Sequence, residues 1–383
     1  MKHIALKIGS LCGLLMVAAH APGQTWTHTS ALALPWQAVA SSADGSKLVA
    51  AVNSGGIYTS TNFGGTWVLN NLPSKSWVSV ASSADGSMLV AVPFNTVPYT
   101  STNGGATWNT NTAFGNDWHY VASSADGMRL IAAGNVGRLA LSTDGGSSWV
   151  TSNVPVAAWS AVASSADGSK LVAAISSGRI YTSSDSGLIW ASNNTPAFNW
   201  TSVASSADGT RLAAVWGGAS IFISTNSGST WSSNNVGGDF ISIASSADGT
   251  KLVAASNVGG TGKICTSNDG GTTWSSNSIP NNSWRSVASS ADGNRLVAAA
   301  NGGGIYTRYS APSPQLSLTP AGGNLILSWT VPATNFVVQQ NSYLGLGNWT
   351  AVTDPPTLNL TNLHQELFLS PSNTQSLFRL KAP

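Results

Sequence analysis

Residues 36–67 read WQAVASSADGSKLVAAVNSGGIYTSTNFGGTW, and with small edits this stretch recurs to give seven copies. The hexad ASSADG places its aspartate at Asp44, Asp85, Asp126, Asp167, Asp208, Asp248 and Asp292, at intervals of 41, 41, 41, 41, 40 and 44 residues. Within a copy, the runs Trp36–Ser42 and Lys47–Val52 flank Asp44-Gly45, which predicts a hairpin with positive φ at both turn residues. A Gly-rich corner, Ser54–Gly56, leads to a third strand at Ile57–Ser60, and Trp67 opens a fourth. No segment has helical periodicity. Four short strands per unit at a fixed period predict an all-β chain, a seven-bladed β-propeller.

The eight residues that close each copy, Ser60-Thr61-Asn62-Phe63-Gly64-Gly65-Thr66-Trp67, resemble the Asp box, S-x-D-x-G-x-T-W, of the bacterial-neuraminidase-type (sialidase-type, BNR) repeat. Matching segments stand at Ser101–Trp108, Ser142–Trp149, Ser183–Trp190, Ser224–Trp231 and Ser267–Trp274, so the resemblance covers residues 24–309. Families sharing the box include sialidases, xyloglucan-cleaving enzymes, sortilin-type receptors and photosystem II assembly factors. The resemblance therefore implies a propeller and no particular reaction. The seventh copy lacks a box. Trp26 instead precedes Trp36 by ten residues, the spacing that separates Trp67 from Trp77. Residues 24–34 are expected to form the outer strand of the last blade, closing the ring and covering an otherwise unpaired edge.

The ends of the chain differ from the repeats. Lys2 and Lys7 precede the apolar run Ile8–Ala19 and small residues follow, so residues 1–23 read as a secretory signal peptide cut after Gly23. The mature chain then carries 14 Lys+Arg against 14 Asp+Glu. That neutrality gives no purchase for nucleic acid, and no membrane span is expected after cleavage. Cys265 is the one cysteine left, in the slot that Tyr58 and Tyr181 hold elsewhere, and reads as a small apolar substitute. Residues 310–314 form a Pro/Ser linker, and the alternating apolar runs of 315–383 predict a small β-sandwich similar to fibronectin-like modules of secreted bacterial proteins.

Catalytic patterns are sparse. Seven aspartates belong to the hairpin turns. Asp144, Asp185 and Asp269 share their box position with Asn62, Asn103 and Asn226, so that position needs a hydrogen-bond acceptor and not a charge. Asp117 and Asp239 are left in the propeller, and the single glutamate, Glu366, lies beyond it. A sialidase resemblance would require an arginine triad and a Tyr/Glu pair, and glycosidases generally need two carboxyl groups at one bond. His28, His119 and His364 never cluster, so no catalytic residue, metal or cofactor is assigned.

A surface remains. The Asp-Gly turns and boxes share one face, whereas the inter-blade connections and corners diverge on the other, where binding usually resides. Lys75, Asp117, His119, Asp239 and Arg285 are the candidates for a polar ligand-binding patch there. The aromatic ring Trp36, Trp77, Trp118, Trp159, Trp200, Phe240 and Trp284 could stack sugars, but inter-blade packing accounts for it better. Lys47, Arg129, Lys170, Arg211, Lys251 and Arg295 each follow a turn aspartate by three residues and are expected to pair with it; Met88 breaks the pattern. The resulting expectation is a monomeric, secreted or cell-surface, non-catalytic scaffold for an extracellular protein or glycan. A glycan-directed hydrolase and a chaperone resembling the photosystem factors are the alternatives.

Overall fold

The computed structural model describes residues 25–110, 118–134, 136–257, 259–277, 279–280 and 282–310. It also describes the separate segments 5–8, 12–15, 316–321, 324–330, 337–341, 350–354, 356–359, 364–369 and 377–381. The chain divides into two compact units, Thr25–Tyr309 and Met1–Gln24 with Ser310–Pro383. Every regular element among the described residues is a strand.

The first unit contains five antiparallel sheets of four strands and one of eight, in which two four-stranded groups are joined by the pairing of Leu171–Gly178 with Phe198–Ser205; in all but the last group the four strands run in chain order. In the first group, Trp36–Ser41, Leu48–Val52, Ile57–Ser60 and Val68–Leu69 pair in succession. Burial peaks at the second strand and falls off to the outer edge: Leu48–Val52 is buried at every residue, whereas Val68 and Leu69 are exposed. The unbroken apolar run of the second strand is thus explained by a sheet covered on both faces. Its alanines, Ala50 and Ala51, are fully buried where neighbouring groups press closest. Cys265 sits in register with Ala254 as Tyr58 does with Ala50, and is buried.

The Asp-Gly turn differs from the expectation. Gly45 has φ +74°, but Asp44 is absent from the residues of positive φ. The Gly45 N–H donates to the Ser42 carbonyl at 3.0 Å and the Ser42 N–H to the Lys47 carbonyl at 2.9 Å, so the loop is longer than a two-residue hairpin turn. A turn of this kind needs a left-handed residue only at its last position, which glycine fills.

First strands of successive groups lie side by side, and Trp284–Ser289 lies beside Trp36–Ser41. A cycle of backbone hydrogen bonds follows the same circuit. Ala43 donates to Ala84, Ala84 to Ala125, Ala125 to Ala166, Ala166 to Ala207, Ala207 to Ala247, Ala247 to Ala291, and Ala291 back to Ala43, all at 2.7–2.8 Å. The last group takes its fourth strand from the N-terminal side: Thr27 and His28 pair with Thr307 and Tyr306. Trp26 is buried against Trp284 and Tyr306.

In the second unit, Leu316–Ala321, Asn324–Thr330, His364–Leu369 and Thr357–Asn359 form one antiparallel sheet in that order. Thr350–Ala351, Val337–Asn341 and Leu377–Lys381 form another, and Ala5–Ile8 pairs with Cys12–Leu15. Residues 311–314 of the expected linker, and most of 1–23, lie outside the described residues.

Candidate functional site

At one end of the first unit every turn aspartate is absorbed by its own loop. Asp44 Oδ1 accepts from Ser42 Oγ at 2.6 Å and from the Ser46 N–H at 2.9 Å, and both its carboxylate oxygens accept from Ser46 Oγ. These bonds favour the ionised form, so the Ser42 and Ser46 hydroxyls lower the Asp44 pKa from 3.8 to about 2. Asp85, Asp167 and Asp208 reach about 2 for the same reason, led by Ser83, Ser165 and Ser206. At Asp292 burial pushes upward, but bonds from Ser290 and Asn294 outweigh it and the pKa falls.

The basic residues after these turns correct one expectation: among the described residues no hydrogen bond or ion pair is formed with the residue's own aspartate, and only Arg129 and Lys251 act on theirs, Asp126 and Asp248, through space. Lys47 Nζ donates to the Asp85 carbonyl at 2.8 Å, and Lys251 Nζ to the Asp292 carbonyl at 2.9 Å, each in the following repeat. Their aliphatic stems lie over the next turn glycine: a Cβ on Gly86 would meet Lys47 at 2.7 Å, and one on Gly45 would meet Arg295 at 2.7 Å. Met88 covers Gly127 in the same way. The shared requirement is therefore an apolar stem between repeats, which methionine meets without charge.

The Ser-x-Asp/Asn loops pack onto these turns, as when the Phe63 N–H donates to the Ser46 carbonyl at 2.9 Å. Asn62 Oδ1 accepts from Ser60 Oγ and the Thr66 N–H, while its Nδ2 donates to Thr66 Oγ1 at 3.0 Å. Asn103 and Asn226 repeat the pattern on Thr107 and Thr230. Asp269 makes the same bonds, except that Thr273 Oγ1 now donates to Oδ2 at 2.6 Å. Asp144 does likewise with Ser148, and Asp185 accepts from the Ile189 N–H. A hydroxyl both donates and accepts, so it reverses its role and lets amide and carboxylate interchange.

The other end is built from the first strands. The ring aromatics are buried, and their indole N–H groups tie consecutive repeats together: Trp77 donates to the Gly55 carbonyl at 3.0 Å, and Trp200 to Gly178 at 2.9 Å. Trp36, Trp77, Trp159, Trp200 and Trp284 have at most 1% exposure, which leaves no face for a sugar. The residue after each ring aromatic behaves differently. Pairing slips there, from Trp36↔Val52 to Ala38↔Ala51, leaving Gln37 in a bulge. Val78, Ser160, Thr201, Ile241 and Arg285 occupy the same bulge in their repeats. A bulge frees a side chain from the alternation of the strand and re-aims it. With His119, this position holds a different residue in all seven repeats.

Residues from all seven first strands line a cavity of about 280 Å³, among them Gln37, Val78, Tyr120, Thr201, Ile241 and Arg285. Of the candidate patch, Arg285 alone reaches it. The Arg285 Nε is buried with no hydrogen-bond partner. His119, at the equivalent position of its own repeat, is buried, with Nε2 3.0 Å from Asn95 Oδ1 and its ring 4.6 Å from that of Phe94. Lys75 pairs through its backbone with Gly55 and holds Nζ 5.9 Å from the Tyr99 ring centre. Asp239 is exposed, and its carbonyl accepts from the Asn257 N–H. No hydrogen bond or ion pair joins Lys75, Asp239 and Arg285, and Asp117 lies outside the described residues. Sequence reasoning missed Gln37, Val78, Thr201 and Ile241, which a fully variable position inside nearly identical repeats would have found, and Tyr120, which stands one residue further on.

No family model matches the chain, and no curated protein sequence does. Solved structures do match. A YCF48 bound to a D1 peptide is similar at 16% identity and TM-score 0.59, over 79% of this chain and 100% of its own. YCF48 from Cyanidioschyzon merolae matches at 16% identity and TM-score 0.58, over 74% of this chain and 98% of its own. The GH74 xyloglucanase from Xanthomonas campestris matches at 16% identity and TM-score 0.60, over 80% of this chain and 59% of its own. These neighbours are β-propellers, and the likeness assigns this chain a propeller-like, all-β fold.

Proposed function

We propose that the chain is a secreted, seven-bladed Asp-box β-propeller with a C-terminal β-sandwich, acting without catalysis as a scaffold for a protein or glycan outside the cytoplasm. One observation carries this reading. Of the eleven aspartates described in Thr25–Tyr309, ten are committed as acceptors to their own turns and loops, and only Asp239 stands outside that pattern. A hydrolase acting on a glycosidic bond generally needs two carboxyl groups at that bond. The residues that vary between repeats gather at the opposite end, as recognition surfaces on regular scaffolds do. The D1 peptide bound to one YCF48 neighbour supports a peptide-bearing partner in particular.

The test is a pull-down from the extracellular fraction with the full chain as bait, run beside a glycan array and an assay for glycan hydrolysis. Capture of one partner, weakened by Lys75→Ala or Asp239→Ala and unaffected by Asp144→Asn, supports the scaffold. Hydrolysis lost in Asp239→Asn would replace it with the enzymatic reading.

A further inference from the structure

The cavity at the axis holds an unmet hydrogen-bond donor. Among the described residues Arg285 is the only charged one lining it, and its Nε–H is buried without a hydrogen-bond acceptor. A buried N–H donor left without an acceptor is costly, and an anion arriving from outside can accept from it.

The neutral lining has the same sign. Ser79, Ser202, Ser242 and Ser286 each accept a backbone N–H of the following repeat, from Val121, Ile243, Val287 and Val39, at 3.1–3.2 Å. With its oxygen so engaged, each hydroxyl has its proton left to give, and no described residue accepts it. All four serines line the cavity, and so does Gln37, which comes from the repeat next to that of Arg285. The lining is thus rich in donors, and among the described residues it contains no carboxylate.

We propose that the axial cavity is a binding site for a singly charged oxyanion of the carboxylate type, held by Arg285 and the serine hydroxyls. Charge matching sets the valence: one guanidinium balances one negative charge, and a dianion would bring in a second that nothing in the lining meets. The planar fork of arginine suits a carboxylate, which it can grip through two N–H donors. The bulge supplies the placement, because it releases Arg285 from strand pairing and directs it toward the axis. This inference does not depend on whether the partner of the divergent end is a protein or a glycan.

The experiment follows the side-chain Nε–Hε resonance of Arg285 in the full chain, assigned by its loss in Arg285→Lys. Sodium acetate, sodium chloride and sodium sulfate are added separately at constant ionic strength. The expected result is a saturable shift with acetate, completed below about 100 mM. Arg285→Gln, followed through the backbone amides of Ser286 and Val39, should weaken acetate binding about tenfold or more. The double variant Ser202→Ala/Ser242→Ala keeps the arginine and should weaken binding about threefold to tenfold. Absence of a saturable acetate shift, an equal response to chloride, tighter binding of sulfate, or unchanged affinity in Arg285→Gln would each overturn the proposal.

Discussion

Replacing Trp26 by alanine tests how the first unit is closed. Trp26 is 8% exposed and packs with Trp284, Val287 and Ala298, residues of the last repeat 258 to 272 positions away in sequence. The flanking chain is held there by two strand pairs and by the Thr29 N–H and Oγ, both donating to the Ile305 carbonyl at 2.9 Å. Removing a buried indole typically costs about 3–5 kcal/mol, the lost transfer energy plus the cavity left behind. Here the cost is one of packing alone, because the Trp26 indole N–H is buried without a partner. Trp26→Phe therefore removes an unpaired donor, worth about 1–3 kcal/mol. That gain offsets most of the lost ring area, so the phenylalanine variant should stay within about 1.5 kcal/mol of the parent. Trp149 is the contrast: it is about equally buried, but its N–H donates to the Gly146 carbonyl at 3.1 Å, so Trp149→Phe forfeits a bond. Urea unfolding followed by far-UV circular dichroism measures all three. A Trp26→Ala cost below about 1 kcal/mol, or equal costs for alanine and phenylalanine at position 26, would refute closure by the N-terminal strand.

Acid should destabilise the fold through the turn aspartates. Their folded pKa values lie below the unfolded 3.8, at about 2 for Asp44, Asp85, Asp167 and Asp208, so their contribution is complete above the unfolded value and is lost as pH falls through the folded one. The urea midpoint should decline between pH 4 and pH 2, and a flat profile there would contradict it. Asp144→Asn should change stability by less than about 0.5 kcal/mol, because Asn62 already shows that an amide fits, whereas Asp144→Ala should cost about 1–3 kcal/mol by stripping acceptors from Ser148. Equal costs for the two would show that the charge matters. Lys251→Met should cost less than about 1 kcal/mol in the same assay, since Met88 does the equivalent task. Burial pushes the Cys265 thiol pKa up, so it should resist a thiol reagent in native buffer and react fully in urea; rapid native labelling would be inconsistent with its place in the core.

Much of the scaffold was legible because the repeats are copies. An apolar run such as Leu48–Val52 can only be a strand covered on both sides, and a period that recurs seven times fixes where each strand begins. The displaced Trp26 was readable from spacing alone. The turn was misjudged because Asp-Gly signals a two-residue hairpin only when the flanking residues pair directly. Here Ser42 and Lys47 close a wider loop, with Asp44 bridging serines on either side. The basic residues were misjudged for a related reason. Sequence spacing pairs Lys47 with the aspartate three positions before it, whereas the ring brings the next repeat's turn under its stem.

The axis was the least legible part, and the cause is physical. Strand alternation assigns faces by counting in twos, and a bulge breaks the count at the one position that matters. Counted in the ordinary way, Arg285 and Gln37 are unremarkable strand residues with no reason to meet, since 248 positions separate them. Two features shared by the repeats bring them together. The ring aromatic anchors the start of the first strand, with Trp77, Trp159, Trp200 and Trp284 donating to the preceding repeat, and the alanine amides bind the other end of that strand into a cycle. Between these anchors the bulge residue carries little of the packing, so its identity is free to differ without weakening the ring. The scaffold is therefore uniform where its stability is decided and variable where Gln37, Val78, Thr201, Ile241 and Arg285 converge on the cavity, and that division of labour is what a binding site on a symmetric frame requires.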